Sequence, residues 1–399
     1  MARKRQNEDS FVHSQQPVGR FRLASRYPFA LIKEKLHARR HEISDFAIGA
    51  RRLALPPELA EWLRSNPDLA LKPASPDAVS DFKDAAISLL QQEYGVSLGR
   101  EQIVPMPGGR VAMTAIAACM LHPGDNVLVT EPGYPAFARL AAHWHAGVSS
   151  VSLDPLQSFA PDLSALPLSD LEKVRIFSLN YPNNPTGAVL SADARRSILD
   201  AAADVNALVF NDNVYGPLTY ESRPTSLLAD SADAELIELH ALTKLYPLGP
   251  QGASFLAGST EAMQKIATYA EFAWSPKSAL KIQATTWCLR DVDGRAKIKS
   301  FFHAQLKALH EVLMEIGFEP YPIPAGIYAL CRLPRSIAGR PVNTAEEAAL
   351  ILMDEFDLAV VPWDPVPNHY LRFSSMYRPE DLERLQGLAA KLKVNQMPT

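Results

Sequence analysis

The chain predicts an α/β fold, with a large domain built on a mostly parallel sheet and a smaller α+β domain beside it. Three observations predict it. Short apolar runs alternate with amphipathic stretches between Ile103 and Gly258, the pattern of strands joined by crossover helices. Turn chemistry follows apolar runs at Asn180-Tyr181-Pro182-Asn183-Asn184-Pro185-Thr186-Gly187, at Asn211-Asp212-Asn213-Val214-Tyr215 and at Leu242-Thr243-Lys244-Leu245-Tyr246-Pro247. After Gly258 the pattern turns helical, and Lys297 to Ile316 is long enough to bridge two domains.

Residues 1 to 24 are polar, poor in aliphatic side chains, and read as a mobile arm. Pro28 to Arg40 reads as a helix, and Asp45-Phe46-Ala47-Ile48-Gly49 as a short extended piece ending in glycine. Apolar spacing makes Pro56 to Leu69 and Ala78 to Tyr94 helical. Ile103-Val104-Pro105-Met106 is an apolar run; Pro107-Gly108-Gly109-Arg110 then turns into a helical pattern whose free amides can hold a phosphate. Asn126 to Thr130 and Val174 to Leu179 read as strands, Ala136 to Trp144 and Ala192 to Asp204 as helices. Tyr328-Ala329-Leu330, Leu358 to Val361 and Tyr370 to Phe373 are strands of the small domain. The large domain takes residues 60–290, the small one 25–59 and 291–399.

Composition narrows the function classes. Of 399 residues, 47% are apolar and 21% charged, as in a soluble globular protein, and the net charge of −4 gives no reason to expect nucleic acid. Cys119, Cys288 and Cys331 are scattered in apolar surroundings and read as thiols of a reducing compartment. No run is long enough to span a bilayer, and the basic start Met1-Ala2-Arg3-Lys4-Arg5-Gln6 is not followed by an apolar signal core, so a cytoplasmic location is expected. His37 and His41 have helical i,i+4 spacing, but with Arg39 and Arg40 between them and no third ligand they read as a solvated face; no metal is expected.

Asp212 follows the buried-strand pattern Ala207-Leu208-Val209-Phe210, and Lys244 follows Leu236 to Leu242. Both then sit at strand carboxyl ends, where open α/β sheets bind ligands. Tyr215, three residues on, can face the same crevice as Asp212. A lysine there is partly desolvated, which favours a neutral amine able to form an imine with a carbonyl. Singly, each residue has a plainer reading: a surface lysine, a helix cap, a core aromatic, half an ion pair. Their order supports the chemical one.

In that order the phrases resemble the class I/II aminotransferases, pyridoxal-phosphate enzymes of fold type I, over residues 25 to 390. The resemblance implies an aspartate-aminotransferase-like large domain, the cofactor pyridoxal 5'-phosphate, an amino acid and a 2-keto acid as substrates, and a homodimer. It implies that Lys244 carries the cofactor as an aldimine and shuttles the α-carbon proton, and that Asp212 pairs with the ring nitrogen. Asn184 and Tyr215 would bond the phenolic oxygen, Tyr134 in Glu131-Pro132-Gly133-Tyr134-Pro135 would stack on the ring, and Gly108, Gly109 and Thr243 would meet the phosphate. Arg372 in Leu371-Arg372-Phe373-Ser374 would clamp the α-carboxylate, with Gly49 beside it.

The chain also departs from the family pattern. The arginine expected eight residues after the lysine is Gly252, the serine three before it is Ala241, and Lys72-Pro73-Ala74-Ser75-Pro76-Asp77 lacks the usual tyrosine and glycine. Arg110 is the candidate to restore the lost charge, and Arg51 and Arg52 are candidates to read a distal acid on the substrate. The leading reading is an aminotransferase. Elimination, replacement, cyclisation or oxidation of an amino acid is the alternative, and a non-catalytic ligand sensor the third.

Overall fold

The computed structural model describes residues 43–49, 54–231, 235–248, 254–274, 277–365 and 367–396, with Ile32, Glu34 and Leu36. The expected arm, His37, His41, Arg51, Arg52 and Gly252 lie outside these residues.

The main sheet has seven strands in the spatial order Ile103–Met106, Ser254–Gly258, Leu236–Ala241, Leu208–Asp212, Val174–Leu179, Asn126–Glu131 and Gly147–Ser152. Neighbours run parallel except around Ser254–Gly258, which is antiparallel to both of its partners. This is the mostly parallel sheet that the strand and helix alternation predicts. Two reversals restore direction, so every strand but Ser254–Gly258 opens its carboxyl end on the same edge. Apolar-run reasoning passes over two of these strands. Gly147–Ser152 is a largely exposed edge strand of serine, valine and glycine. Ser254–Gly258 is fully buried but short and interrupted by small residues.

Expected helix boundaries shift for local reasons. The helix Pro57–Ser65 stops at Asn66 because Pro67 disfavours the helical conformation before it; a 3-10 turn, Pro67–Leu71, follows. Ser75 caps the helix Pro76–Leu89 by accepting from the Ala78 amide at 3.2 Å. That helix widens into a π turn at Leu90–Tyr94 and ends on Gly95 at φ 74°. The long helix begins at Val292, ahead of Lys297, because Asp291 accepts from the Gly294 amide at 2.9 Å.

A second, antiparallel sheet orders Val361–Trp363, Tyr370–Ser374 and Tyr328–Arg332. The run read as one strand from Leu358 splits here: Leu358–Ala359 pairs with Ser44–Asp45, and Val361–Trp363 with Tyr370–Ser374. Ile43, Phe46 and Ala47 thereby join a core made with Leu309, Leu313, Ala329 and Phe373. The helix Val292–Ile316, about 37 Å long at 1.5 Å per residue, serves two cores. Ile298 and Phe302 pack with Leu59, Phe82 and Tyr215, whereas Leu309, Val312 and Ile316 pack in the core of the second sheet.

Candidate active site

The common carboxyl edge gathers the sequence phrases. Gly108 follows the strand ending at Met106, Tyr134 the one ending at Glu131, Asn184 the one ending at Leu179, and Lys244 the one ending at Ala241; Asp212 closes its own strand. An asparagine lattice shapes the centre. Asn180 Nδ2 donates to the Asp212 carbonyl at 2.8 Å, and its Oδ1 accepts from the Asn184 amide at 3.0 Å. Asn211 bonds both the amide and the carbonyl of Tyr181, and Asn183 Oδ1 accepts from the amide and the hydroxyl of Thr186. All these groups are buried, so each bond removes a desolvation cost and the loop is held in one shape.

Beneath the lattice lies Glu238, which is 0% exposed. It accepts from Asn211 at 3.0 Å, Ser226 Oγ at 2.5 Å and the Leu227 amide at 2.9 Å, and meets His240 Nε2 at 3.0 Å. Burial works to raise its pKa, but His240, Ser226 and Asn211 together hold it below the usual carboxylate value. A depressed acid stabilises the fold above its unfolded pKa, and that contribution fades as pH falls through the folded one. Glu238→Ala strands several buried donors, so unfolding in denaturant at pH 7 should show a loss of about 3–5 kcal/mol. Sequence reasoning missed this network; an acid inside the apolar run Leu236-Ile237-Glu238-Leu239 is the signal that could have found it, because a buried charge requires partners.

Asp212 is 4% exposed, and among the described residues no hydrogen-bond donor reaches its Oδ1. Burial raises its pKa to about 7, against the charge of Lys244 and the Val214 amide. Tyr134 lines one cleft with Asp212, Asn180, Ser178 and Met113. Lys244, half-buried, donates from Nζ to the Gly49 carbonyl at 3.0 Å and lies 5.5 Å from the centre of the Tyr215 ring. Gly49 reaches it because Asp45 Oδ1 accepts from the Ala47 and Ile48 amides, turning the chain after its strand. The same turn presents the Ala47 carbonyl to Arg372.

Arg372 is 8% exposed. Its Nη1 donates to Asn184 Oδ1 at 2.9 Å and its Nη2 to the Ala47 carbonyl at 3.2 Å, while no partner among the described residues meets Nε. Lys244, Gly49, Tyr215, Asn184 and Arg372 are thus joined directly or through one neighbour. Gly108, Gly109 and Arg110 open the helix Gly109–Met120, with Arg110 exposed, and Thr243 is half-buried in the turn before Lys244. Sequence reasoning missed Ala47, Asp45 and Tyr328, the last of which faces Arg372 and Tyr215.

The family model for "Aminotransferase class I and II" matches residues 54–386. The chain belongs to that family. It is a pyridoxal-phosphate-dependent aminotransferase of the aspartate-aminotransferase-like fold. LL-diaminopimelate aminotransferase of Methanocaldococcus jannaschii is 28% identical over 309 residues, 76% of this chain and 73% of that protein. Transaminase BacF of Bacillus subtilis is 25% identical over 92% of each chain. The substrate-bound BacF structure superposes with a TM-score of 0.86 at 23% identity, over 96% of this chain and 99% of that one. Aspartate aminotransferase of Thermus thermophilus, as a single mutant, gives 0.83 at 20% identity, over 95% and 100%.

Proposed function

We propose that this aminotransferase moves the amino group of an amino acid to a 2-keto acid using Lys244, Asp212, Tyr215, Asn184 and Arg372. The observation that carries the assignment is the convergence of Lys244, bound to the Gly49 carbonyl, and Arg372, aimed by Asn184 and Ala47, at one sheet edge. Pyridoxal phosphate suits this donor set, because Asp212 Oδ1 is a buried acceptor that a protonated ring nitrogen would satisfy. The bound cofactor supplies an electron sink for the substrate α-carbon. Lys244 takes the α-proton and returns it. Arg372 would receive the α-carboxylate through paired charge-assisted bonds, Asn184 and Tyr215 would bond the phenolic oxygen, and Tyr134 would stack on the ring.

The phosphate falls to Gly108, Gly109 and Thr243, with Arg110 supplying charge at the helix start. Ala241 offers no hydroxyl there. Arg110→Ala should weaken cofactor binding by about 10- to 100-fold in a fluorescence titration, the worth of one bond to a charged group.

The reading is tested by supplying amino acids, LL-diaminopimelate and glutamine among them, with and without 2-oxoglutarate or pyruvate. Keto acid formed in step with acceptor consumption is expected; ammonia release without an acceptor would overturn it. We further infer the two lobes 60–290 and 25–59 with 291–399, since one buried core draws on residues 32–47 and 309–394. A homodimer is inferred from the likeness to the aminotransferase family, and light scattering should report twice the chain mass. Three free cysteines accord with a cytoplasmic location, and among the described residues no helix is long and apolar enough to cross a membrane.

A further inference from the structure

Tyr328 belongs to no phrase that pointed to the site, yet it lies at the centre of it. It sits on the strand Tyr328–Arg332, opposite Ser374, while Arg372 sits opposite Leu330. Opposed residues of an antiparallel pair share a face, so Tyr328 and Arg372 are diagonal neighbours within reach of long side chains. The Arg372 guanidinium carbon lies 3.9 Å from the Tyr328 ring centre, inside cation–π range and closed to solvent. The ring therefore covers one side of a cation whose other bonds go to Asn184 and Ala47.

The hydroxyl meets a second set of groups. Tyr215 Oη donates to it at 3.4 Å, beyond the range of about 2.5–3.0 Å usual for such bonds. A Cβ added to Gly49 would lie 2.1 Å from Tyr328 Oη and 3.7 Å from Lys244 Nζ, so the phenol and the amine converge over the same glycine. Any side chain at position 49 would have to displace one of them. Burial works to raise the Tyr328 pKa, but Arg372, Lys244 and the bond from Tyr215 together bring the phenol below its ordinary value; burial and Tyr328 itself push Tyr215 well above.

We propose that Tyr328 is a positioning residue with two separable parts: its ring sets the Arg372 guanidinium for the substrate carboxylate, and its hydroxyl sets Tyr215 and Lys244 for proton transfer. The inference rests on the aminotransferase reading given above. Its ring half follows from Tyr328 and Arg372, which are neighbours through strand register. Among the described residues neither the ring nor the hydroxyl bonds the backbone, so the pair of roles can be divided by substitution.

The holoenzymes of wild type, Tyr328→Phe and Tyr328→Leu divide them. Tyr328→Phe keeps the ring, so KM should stay within about twofold while kcat falls about threefold, the lower end of what one hydrogen bond contributes. Tyr328→Leu loses both, and KM should rise a further tenfold or so as the guanidinium loses its aromatic face. Calorimetric binding of 2-methylalanine, an amino acid with no α-proton to lose, should weaken in Tyr328→Leu and not in Tyr328→Phe. Equal affinity in all three proteins, or a KM and kcat that move together in both variants, would overturn the proposal. Cofactor content and thermal midpoint, measured alongside, identify a variant that has merely lost its fold; Tyr328→Phe, which keeps the ring and its packing, then decides the hydroxyl role alone. A wild type that transfers no amino group would overturn the functional reading, while the 2-methylalanine titration would still judge the ring.

Discussion

Lys244→Ala should lower amino-group transfer by on the order of 10⁴-fold or more, because one side chain is asked both to anchor the cofactor and to move the α-proton. Its place explains the demand. Nζ is held 3.0 Å from the Gly49 carbonyl and 5.5 Å from the Tyr215 ring centre, a site shared with the residues that would hold the substrate. Lys244→Arg is the sharper variant. It keeps a cation of similar reach, but a guanidinium does not give up its proton in a protein, so it should fail as completely as alanine. Borohydride treatment followed by peptide mass mapping should tag position 244 in wild type and in neither variant. Retention of a tenth of the wild-type rate in Lys244→Arg would show that this lysine is not the base.

Asp212→Asn should reduce the rate by on the order of 10²–10³-fold, the usual cost of removing one group aimed at developing charge in a buried site. Its effect on stability has the opposite sign. The folded pKa, about 7, stands above the unfolded 3.8, so the fold favours the neutral acid. Holding the carboxylate ionised in the cofactor-free protein costs on the order of 4 kcal/mol. The fold is spared this cost below the unfolded pKa, and stability is lost progressively as pH rises from about 4 to about 7. Cofactor-free Asp212→Asn should therefore resist denaturant better than cofactor-free wild type at pH 8 and about equally at pH 4. Saturating pyridoxal phosphate should reverse the order at pH 8, since only the carboxylate pairs with a protonated ring nitrogen. A variant less stable than wild type at pH 8 without cofactor would remove the strain argument.

The two residues were revealed by their sequence in the same way. Lys244 and Asp212 each follow a short apolar run, and a strand followed by a turn is a local signal, readable from a few neighbours. The same is true of the Asn180 to Gly187 turn, of the Gly108-Gly109 turn and of the alternation that predicts a mostly parallel sheet, whereas Tyr134 came only with the resemblance. Arg372 was legible only through the resemblance, since an arginine in a strand has many possible partners.

What the sequence determined by itself was therefore the set of strand ends and the chemistry standing on them. Tertiary structure alone decided the rest. Ser254–Gly258 enters the sheet against its direction, and only that reversal brings the Met106 end, with its glycines, to the edge that carries Lys244. Ala47, Tyr328 and Arg372 are far apart in the chain and meet because Ser44–Asp45 pairs with Leu358–Ala359 and Tyr328–Arg332 with Tyr370–Ser374. The physical reason is the range of the forces. Periodicity and turn geometry act between residues close in the chain, whereas the guanidinium over the Tyr328 ring and the acid beneath Asn211 depend on strand register, which the packing of whole faces sets.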